Sequence, residues 1–179
     1  MSGQFRPVNY RDVGEALGLW LEPSPVPEGR LLRGGKFDQL AGVEDLGNPR
    51  TILNLRRGPD PRHMAEVAYL HVAAANDQEN YDTTHKGVRA WLGKVLEVLA
   101  DPGTGWPVYL HCTSGRDRTG IVVAAALSLI EVPRSVIVEE FLLSDGAEQA
   151  CIERALDGLG TSAAGLGVDR RRLREALCG

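Results

Sequence analysis

The sequence predicts an α/β fold: a central, mostly parallel sheet of about four or five strands flanked by helices, with a Gly-containing loop joining a central strand to a helix. Three observations predict it. Short apolar runs of strand length recur, separated by turn signals. A stretch with clear helical periodicity stands before the last of them. The remainder of the chain then reads as helix after helix.

The elements follow in order. Asn9-Tyr-Arg-Asp-Val-Gly14 is followed by a loop holding Pro23, Pro25 and Pro27, and Leu31-Leu32 begin a short strand ending at Gly34-Gly35. Residues 36–46 are read as a short helix, closed by Gly47-Asn48-Pro49. Thr51-Ile-Leu-Asn-Leu55 reads as a buried strand, broken by Gly58-Pro-Asp-Pro61, and Tyr69-Leu-His-Val-Ala73 as another. Residues 83–100 place Val88, Trp91, Leu92, Val95, Leu96 and Leu99 on one helical face. Asp101-Pro-Gly103 stops that helix, and Pro107-Val-Tyr-Leu110 reads as a strand. A Gly-containing loop leads into an apolar helix from about Thr119 to Ile130. Three more helices are expected over 134–143, 146–158 and 169–178, the last N-capped by Asp169. With no internal repeat and no linker long enough to separate distinct units, residues 1–179 are read as one domain.

Composition narrows the function classes. Net charge is −4, which argues against nucleic acid or an anionic membrane as partner. No apolar run is long enough for a membrane span, and the start lacks the apolar stretch of a signal peptide. Cys112, Cys151 and Cys178 are too few for a disulfide framework and are read as reduced thiols in a cytoplasmic setting. The positive residues are mostly arginine, with lysine only at Lys36, Lys86 and Lys94. The planar arginine fork suits phosphate, because it binds two oxygens at once.

The decisive segment is His111-Cys-Thr-Ser-Gly-Arg-Asp-Arg-Thr-Gly120, between a buried strand and a buried helix. A loop there aims backbone N–H groups at one point in front of a helix N-terminus, an arrangement that binds an anion. The same positive helix end favours a thiolate at Cys112. Five residues separate Cys112 from Arg118, so the loop can curl until both address one phosphoryl group. Arg118 then holds two equatorial oxygens, Cys112 attacks phosphorus in line, and Thr119 offers its hydroxyl to the departing sulfur. The expected phosphate cradle is Thr113, Ser114, Gly115, Arg116, Asp117, Arg118 and Thr119. Arginine and backbone supply the positive field, so neither metal nor cofactor is called for.

This pattern of His-Cys, five residues, Arg, then Thr and Gly resembles the signature of the protein tyrosine phosphatase superfamily. A chance match at all constrained positions is on the order of 10⁻⁶ for a chain of this size. Further segments are similar to a bacterial tyrosine/serine phosphatase family: Asn9-Tyr-Arg-Asp-Val-Gly14 to its Asn-Phe-Arg-Asp-Leu-Gly, Gly29-Arg-Leu-Leu-Arg-Gly34 to its Gly-Arg-Leu-Phe-Arg-Ser, and Leu53-Asn-Leu-Arg56 to its Val-Asp-Leu-Arg. Glu139-Glu-Phe-Leu-Leu-Ser144 resembles its Asp-Tyr-Leu-Leu-Ser. Arg116 departs from the family's usual lysine. The short stretch between Ala73 and Cys112 leaves no room for the long helical lid some relatives carry. The resemblance implies hydrolysis of phosphotyrosine, with phosphoserine and phosphothreonine as further protein substrates, through a phosphocysteine intermediate.

A carboxyl group must protonate the leaving oxygen and later activate water. In the superfamily it sits on a loop before the cysteine. Asp77, following Ala73-Ala-Ala-Asn76, is the first candidate, although the family's flanking prolines and aromatic are missing. Asp82 is the second, with helix capping as its other reading; Asp117, inside the loop, is read as a residue that could assist, and Asp60 as an outside candidate. His111 is expected to hold the loop through hydrogen bonds rather than act as a base, and Arg56 and Arg57 either to touch substrate or to pair with Asp12 or Asp60. Cys151 and Cys178 are read as packing residues and Arg170-Arg-Arg172 as a solvated helix face. Two other functions stay open: a phosphatase for a small metabolite (nucleotide, inositol phosphate, sugar phosphate or biosynthetic intermediate), which the few aromatics near the loop in sequence favour, and a catalytically dead phosphate reader.

Overall fold

A computed structural model describes residues 5–75, 79–160 and 163–179. Its centre is a five-stranded sheet. In chain order the strands are β1 (Arg11–Asp12), β2 (Leu31–Gly34), β3 (Thr51–Asn54), β4 (Ala68–His71) and β5 (Val108–His111). They lie in the order β1-β2-β5-β3-β4, with β2, β5, β3 and β4 parallel and only β1 antiparallel at one edge. The helices are α1 (Val13–Leu17), α2 (Lys86–Ala100), α3 (Asp117–Leu129), α4 (Arg134–Leu142), α5 (Gln149–Leu159) and α6 (Arg170–Cys178), with 3-10 turns at Val43–Leu46 and Ala163–Leu166.

Alternation along the strands divides the core in two. Leu31, Leu53, Val108 and Leu110 join the large cluster formed with the helices, including Leu92, Leu96, Ile121 and Val122. Their neighbours Leu32, Ile52 and Tyr109 face the other way and pack with Phe37, Leu40 and Leu46. Helix α3 is buried almost all round, as its continuous apolar run demands, whereas α2 buries the face of Val88, Trp91, Leu92, Val95, Leu96 and Leu99. Among the described residues no helix is long and apolar enough to cross a membrane.

Some local expectations are corrected. Residues 36–46 hold only the 3-10 turn at Val43–Leu46, entered from Gly42 and closed by Gly47 in the left-handed region at φ 81°. Helix α2 begins at Lys86, not at 83, because His85 is its N-cap and accepts a hydrogen bond from Gly87 N–H. Asp169 does cap α6, accepting from Arg172 N–H at 3.1 Å. β1 and α1 are too short to carry a periodic signal; Asp12 links them as the N-cap of α1.

Candidate active site

The parallel strands end level with one another. Gly34 and Asn54 both pair with His111, on either side of β5, so the segments after β2, β3 and β5 meet at the carboxyl edge of the sheet. Ligands of open α/β sheets bind at such an edge. The loop from Cys112 to Arg116 lies there and runs directly into α3. Arg116, the N-cap of α3, supplies no side-chain cap to the first-turn amides.

The curl of that loop is imposed from outside. Cys112 O lies 3.2 Å from His111 Nδ1, and Thr113 O accepts from Lys36 N–H at 3.1 Å. Ser114 O accepts from Asn9 Nδ2 at 2.8 Å, and Gly115 O from an Arg33 guanidinium nitrogen at 3.0 Å. In a planar trans peptide the carbonyl of one residue and the N–H of the next point in opposite directions. Four captured carbonyls therefore turn the N–H groups of Thr113, Ser114, Gly115 and Arg116 away from those donors, a row of amides of the kind that cradles an anion. Close packing on β2 requires the glycines. Gly115 has φ 69°, and a Cβ there would lie 2.3 Å from Gly34 C.

Charge surrounds this loop. The Cys112 side chain is buried at the end of β5. Arg118, half-buried, folds back to donate to Thr113 Oγ1 at 3.3 Å and to Leu55 O at 3.4 Å. Those long bonds leave most of its fork available. Arg33 lies fully buried under the loop. The hydroxyl of Thr119 is buried and has no hydrogen-bond partner among the described residues. The Arg116 and Asp117 side chains bind each other, at 3.0 and 3.1 Å, and Tyr81 donates its hydroxyl to Asp117. These two residues offer the loop their backbone, not their side chains.

A second network steadies the loop from β3. His111 Nε2 lies 2.8 Å from Asp60 Oδ2, and Arg56 donates to Asp60 Oδ1 at 3.0 Å and to Asp38 at 3.2 Å. Burial works to raise the Asp60 carboxyl, but its hydrogen bonds with His111 and Arg56 outweigh this and hold it below the usual carboxylate range. Asp60 is thus committed to His111 and Arg56, and Asp12 to capping α1. Asp82 closes the turn before α2 through Thr84, whose hydrogen bond lowers its carboxyl too. Asp77 lies outside the described residues.

Beside Thr113 opens a cleft of about 430 Å³, lined by Phe5, Val8, Phe37 and Leu40 with Arg6 and Lys36 among them. It places two aromatic rings next to the loop, although both are remote from it in sequence. The other residues missed by sequence reasoning are Asn9, Arg33 and Glu140. All three fall in the segments that carry the family resemblance, but nothing in one sequence shows that those segments converge under one loop.

A sequence model of the tyrosine phosphatase family matches residues 6–177. Among curated proteins, the triple specificity protein phosphatase PtpB of Mycobacterium tuberculosis is 39% identical over 69 residues, which cover 38% of this chain and 24% of PtpB. A tyrosine-protein phosphatase of Nostoc commune is 39% identical over 86 residues, covering 42% of this chain and 29% of that protein. The matched stretches thus span less than a third of either relative. Among solved structures, the core catalytic domain of the PP-IP phosphatase Siw14 from S. cerevisiae has a TM-score of 0.60 at 19% identity, covering 83% of this chain and 86% of that one. DUSP15 has a TM-score of 0.55 at 16% identity, covering 82% of this chain and 92% of that one. At these identities the likeness is one of fold.

Proposed function

Because the chain belongs to the tyrosine phosphatase family, we propose that it is a cysteine-dependent phosphomonoester hydrolase acting on phosphotyrosine in proteins. The observation that carries this reading is the set of four carbonyls from Cys112 to Gly115 held from outside the loop, which leaves the following amides facing away from those donors, in the loop that joins the cysteine to Arg118. The Cys112 thiolate attacks phosphorus, a sulfur–phosphorus bond forms and the phosphorus–oxygen ester bond breaks. Asp77 gives its proton to the leaving tyrosyl oxygen. In the second step Asp77, now a carboxylate, takes a proton from water as that water attacks phosphorus. The sulfur–phosphorus bond breaks, Thr119 donates a hydrogen bond to the departing sulfur, and inorganic phosphate leaves. Arg118 spans two equatorial oxygens throughout and gains most where charge spreads over them.

The cleft beside Thr113 favours an aromatic leaving group, because Phe5 and Phe37 are among its lining residues. Arg6 and Lys36 in the same cleft, the latter 3.7 Å from Asp38, support a second reading, a small metabolite carrying more than one anionic group. Phosphate release from phosphotyrosine and phosphoserine peptides, inositol phosphates, sugar phosphates and nucleotides, with chelator present and Cys112→Ser as control, separates the readings. Turnover of phosphotyrosine peptide that Cys112→Ser abolishes and Asp77→Asn slows is expected. Faster turnover of a polyanionic metabolite than of any peptide overturns the protein-substrate reading. Binding without turnover on the whole panel leaves a phosphate reader.

A further inference from the structure

Glu140 is a buried carboxylate that no step of this hydrolysis uses. Its Oε2 lies 2.7 Å from one Arg33 nitrogen, and its Oε1 lies 2.8 Å from Arg11 Nε. Arg11 also donates to the Glu140 carbonyl at 2.8 Å and to Ser144 Oγ at 3.1 Å. The other Arg33 amino group donates to Gly115 O in the phosphate loop. The same nitrogen borders the first turn of α3, where a Cβ on Gly120 would lie 3.5 Å from it.

Stability alone is a weak reason for this cluster. Buried ion pairs are often no better than apolar side chains of similar volume, since two charges must leave water. Two arginines around one carboxylate carry a net positive charge beneath a loop shaped for an anion. Burial drags Arg33 down to about 10, with Glu140 and Cys112 pulling it back up and Arg11 pushing it lower, so it keeps its charge at neutral pH. Arg33 Nε has no partner among the described residues.

We propose that Arg33, seated by Glu140, is a positioning residue for anion binding: it pins the Gly115 carbonyl outward, thereby aims the Arg116 N–H into the cradle, and presents positive charge from below. This assignment rests on the reading of the Cys112–Arg118 loop as a phosphoryl site. Arg11 shares the carboxylate and donates to Asn9 O at 3.4 Å but makes no hydrogen bond to residues 112–116, which makes it the control for loss of one positive charge from the cluster.

The test compares alkylation of Cys112 by anionic iodoacetate and neutral iodoacetamide, followed by peptide-resolved mass spectrometry. Both reagents consume the thiolate, so its abundance cancels from the ratio of rates, and the ratio reads how well the loop receives an anion. Arg33→Met should lower the ratio about tenfold, the scale of one charge-assisted hydrogen bond. Arg33→Lys should fall between, and Arg11→Met should stay near the wild type. A ratio unchanged in Arg33→Met, or equally reduced in Arg11→Met, would make the cluster a structural staple and overturn the proposal. If Arg33→Met does not fold, Arg33→Lys decides: a wild-type ratio overturns the proposal and a lowered one supports it. A wild-type protein that shows neither preference for iodoacetate nor protection by inorganic phosphate would sink the phosphoryl-site reading as well. That outcome is distinct from loss in the variant alone.

Discussion

Asn9 Nδ2 donates to Ser114 O at 2.8 Å across 105 positions of sequence. The same side chain accepts from Asp145 N–H at 2.9 Å through Oδ1. One amide thus ties the phosphate loop to the turn that leaves α4. Asn9 sits at φ 56°, a region asparagine enters more readily than most residues. Donor, acceptor and backbone shape are all supplied by one residue type, which gives a physical meaning to the first position of the Asn9–Gly14 segment.

Replacing Asn9 tests that meaning. Asn9→Ala leaves the part-buried Ser114 carbonyl without its donor, while the exposed Asp145 N–H can turn to water, and should cost about 1–3 kcal/mol. If the cost falls on the loop, kcat/KM on phosphotyrosine peptide drops about tenfold. Asn9→Asp keeps the shape but turns an acceptor toward the Ser114 carbonyl, so its loss should be larger. Steady-state kinetics on both variants check the order. Asn9→Asp matching the wild type would show that the donor is dispensable.

Gly115→Ala should be more damaging than its single methyl suggests. The new Cβ would meet Gly34 C at 2.3 Å and Gly35 N at 2.5 Å, both backbone atoms that cannot swing aside. The φ of 69° adds its own strain, of order 1–3 kcal/mol. Either β2 or the loop must shift. Loss of phosphate release to below about 1% of wild type is expected, with the far-UV circular dichroism retained. Activity near wild type would mean that the loop tolerates a different curl.

Several of these relationships lie beyond sequence reading for a definite reason. Strand–loop–helix around Cys112 is legible because apolar runs and glycines mark it locally, and α2 because Val88, Trp91, Leu92, Val95, Leu96 and Leu99 repeat with the helical period. The partners of the loop are not, since Asn9, Arg33 and Lys36 reach it from outside that segment and Glu140 acts on it only through Arg33. For Arg56 the sequence leaves substrate contact and pairing with Asp12 or Asp60 both open; it pairs with Asp60, and with Asp38, which the sequence does not single out. The aromatic neighbours of Thr113 are equally hidden, because Phe5 and Phe37 come from chain segments remote in order. Residues 36–46 look helical by composition, but contacts of Phe37, Leu40 and Leu46 with the outer sheet face shape an irregular segment instead.

The Asp60–His111 contact should give stability a pH signature. Asp60 is held below its unfolded value of about 3.9. A carboxyl lowered on folding stabilises above the unfolded value, and that contribution is lost as pH falls through the folded one. Asp60→Asn breaks a buried partner of His111 and Arg56 and should cost about 3 kcal/mol near neutral pH. For a chain of this size that corresponds to a Tm lower by about 6–12 °C. The gap between variant and wild type should begin to narrow below about pH 4 and close once pH has fallen through the lower folded-state value, where wild-type Asp60 is protonated as well. Melting curves from neutral pH downward check this, and a gap that stays constant with pH would mean that the carboxylate charge contributes nothing.

Arg118 should behave in the opposite sense, with a large kinetic effect and a small one on stability. Among the described residues its guanidinium makes two long hydrogen bonds, at 3.3 and 3.4 Å, and neither partner is a carboxylate. Lysine retains the charge but loses the fork that spans two oxygens. If the fork matters most when charge spreads over the equatorial oxygens, Arg118→Lys lowers kcat by about 10²–10³. KM should then move far less, since one charge still attracts the phosphoryl group in the ground state. The melting temperature should shift by no more than about 2 °C, as expected where few strong contacts are lost. Kinetics and melting on the same preparation decide the matter. A fall in stability parallel to the fall in kcat would place Arg118 among the residues that build the loop, and a rise in KM at constant kcat would confine it to binding.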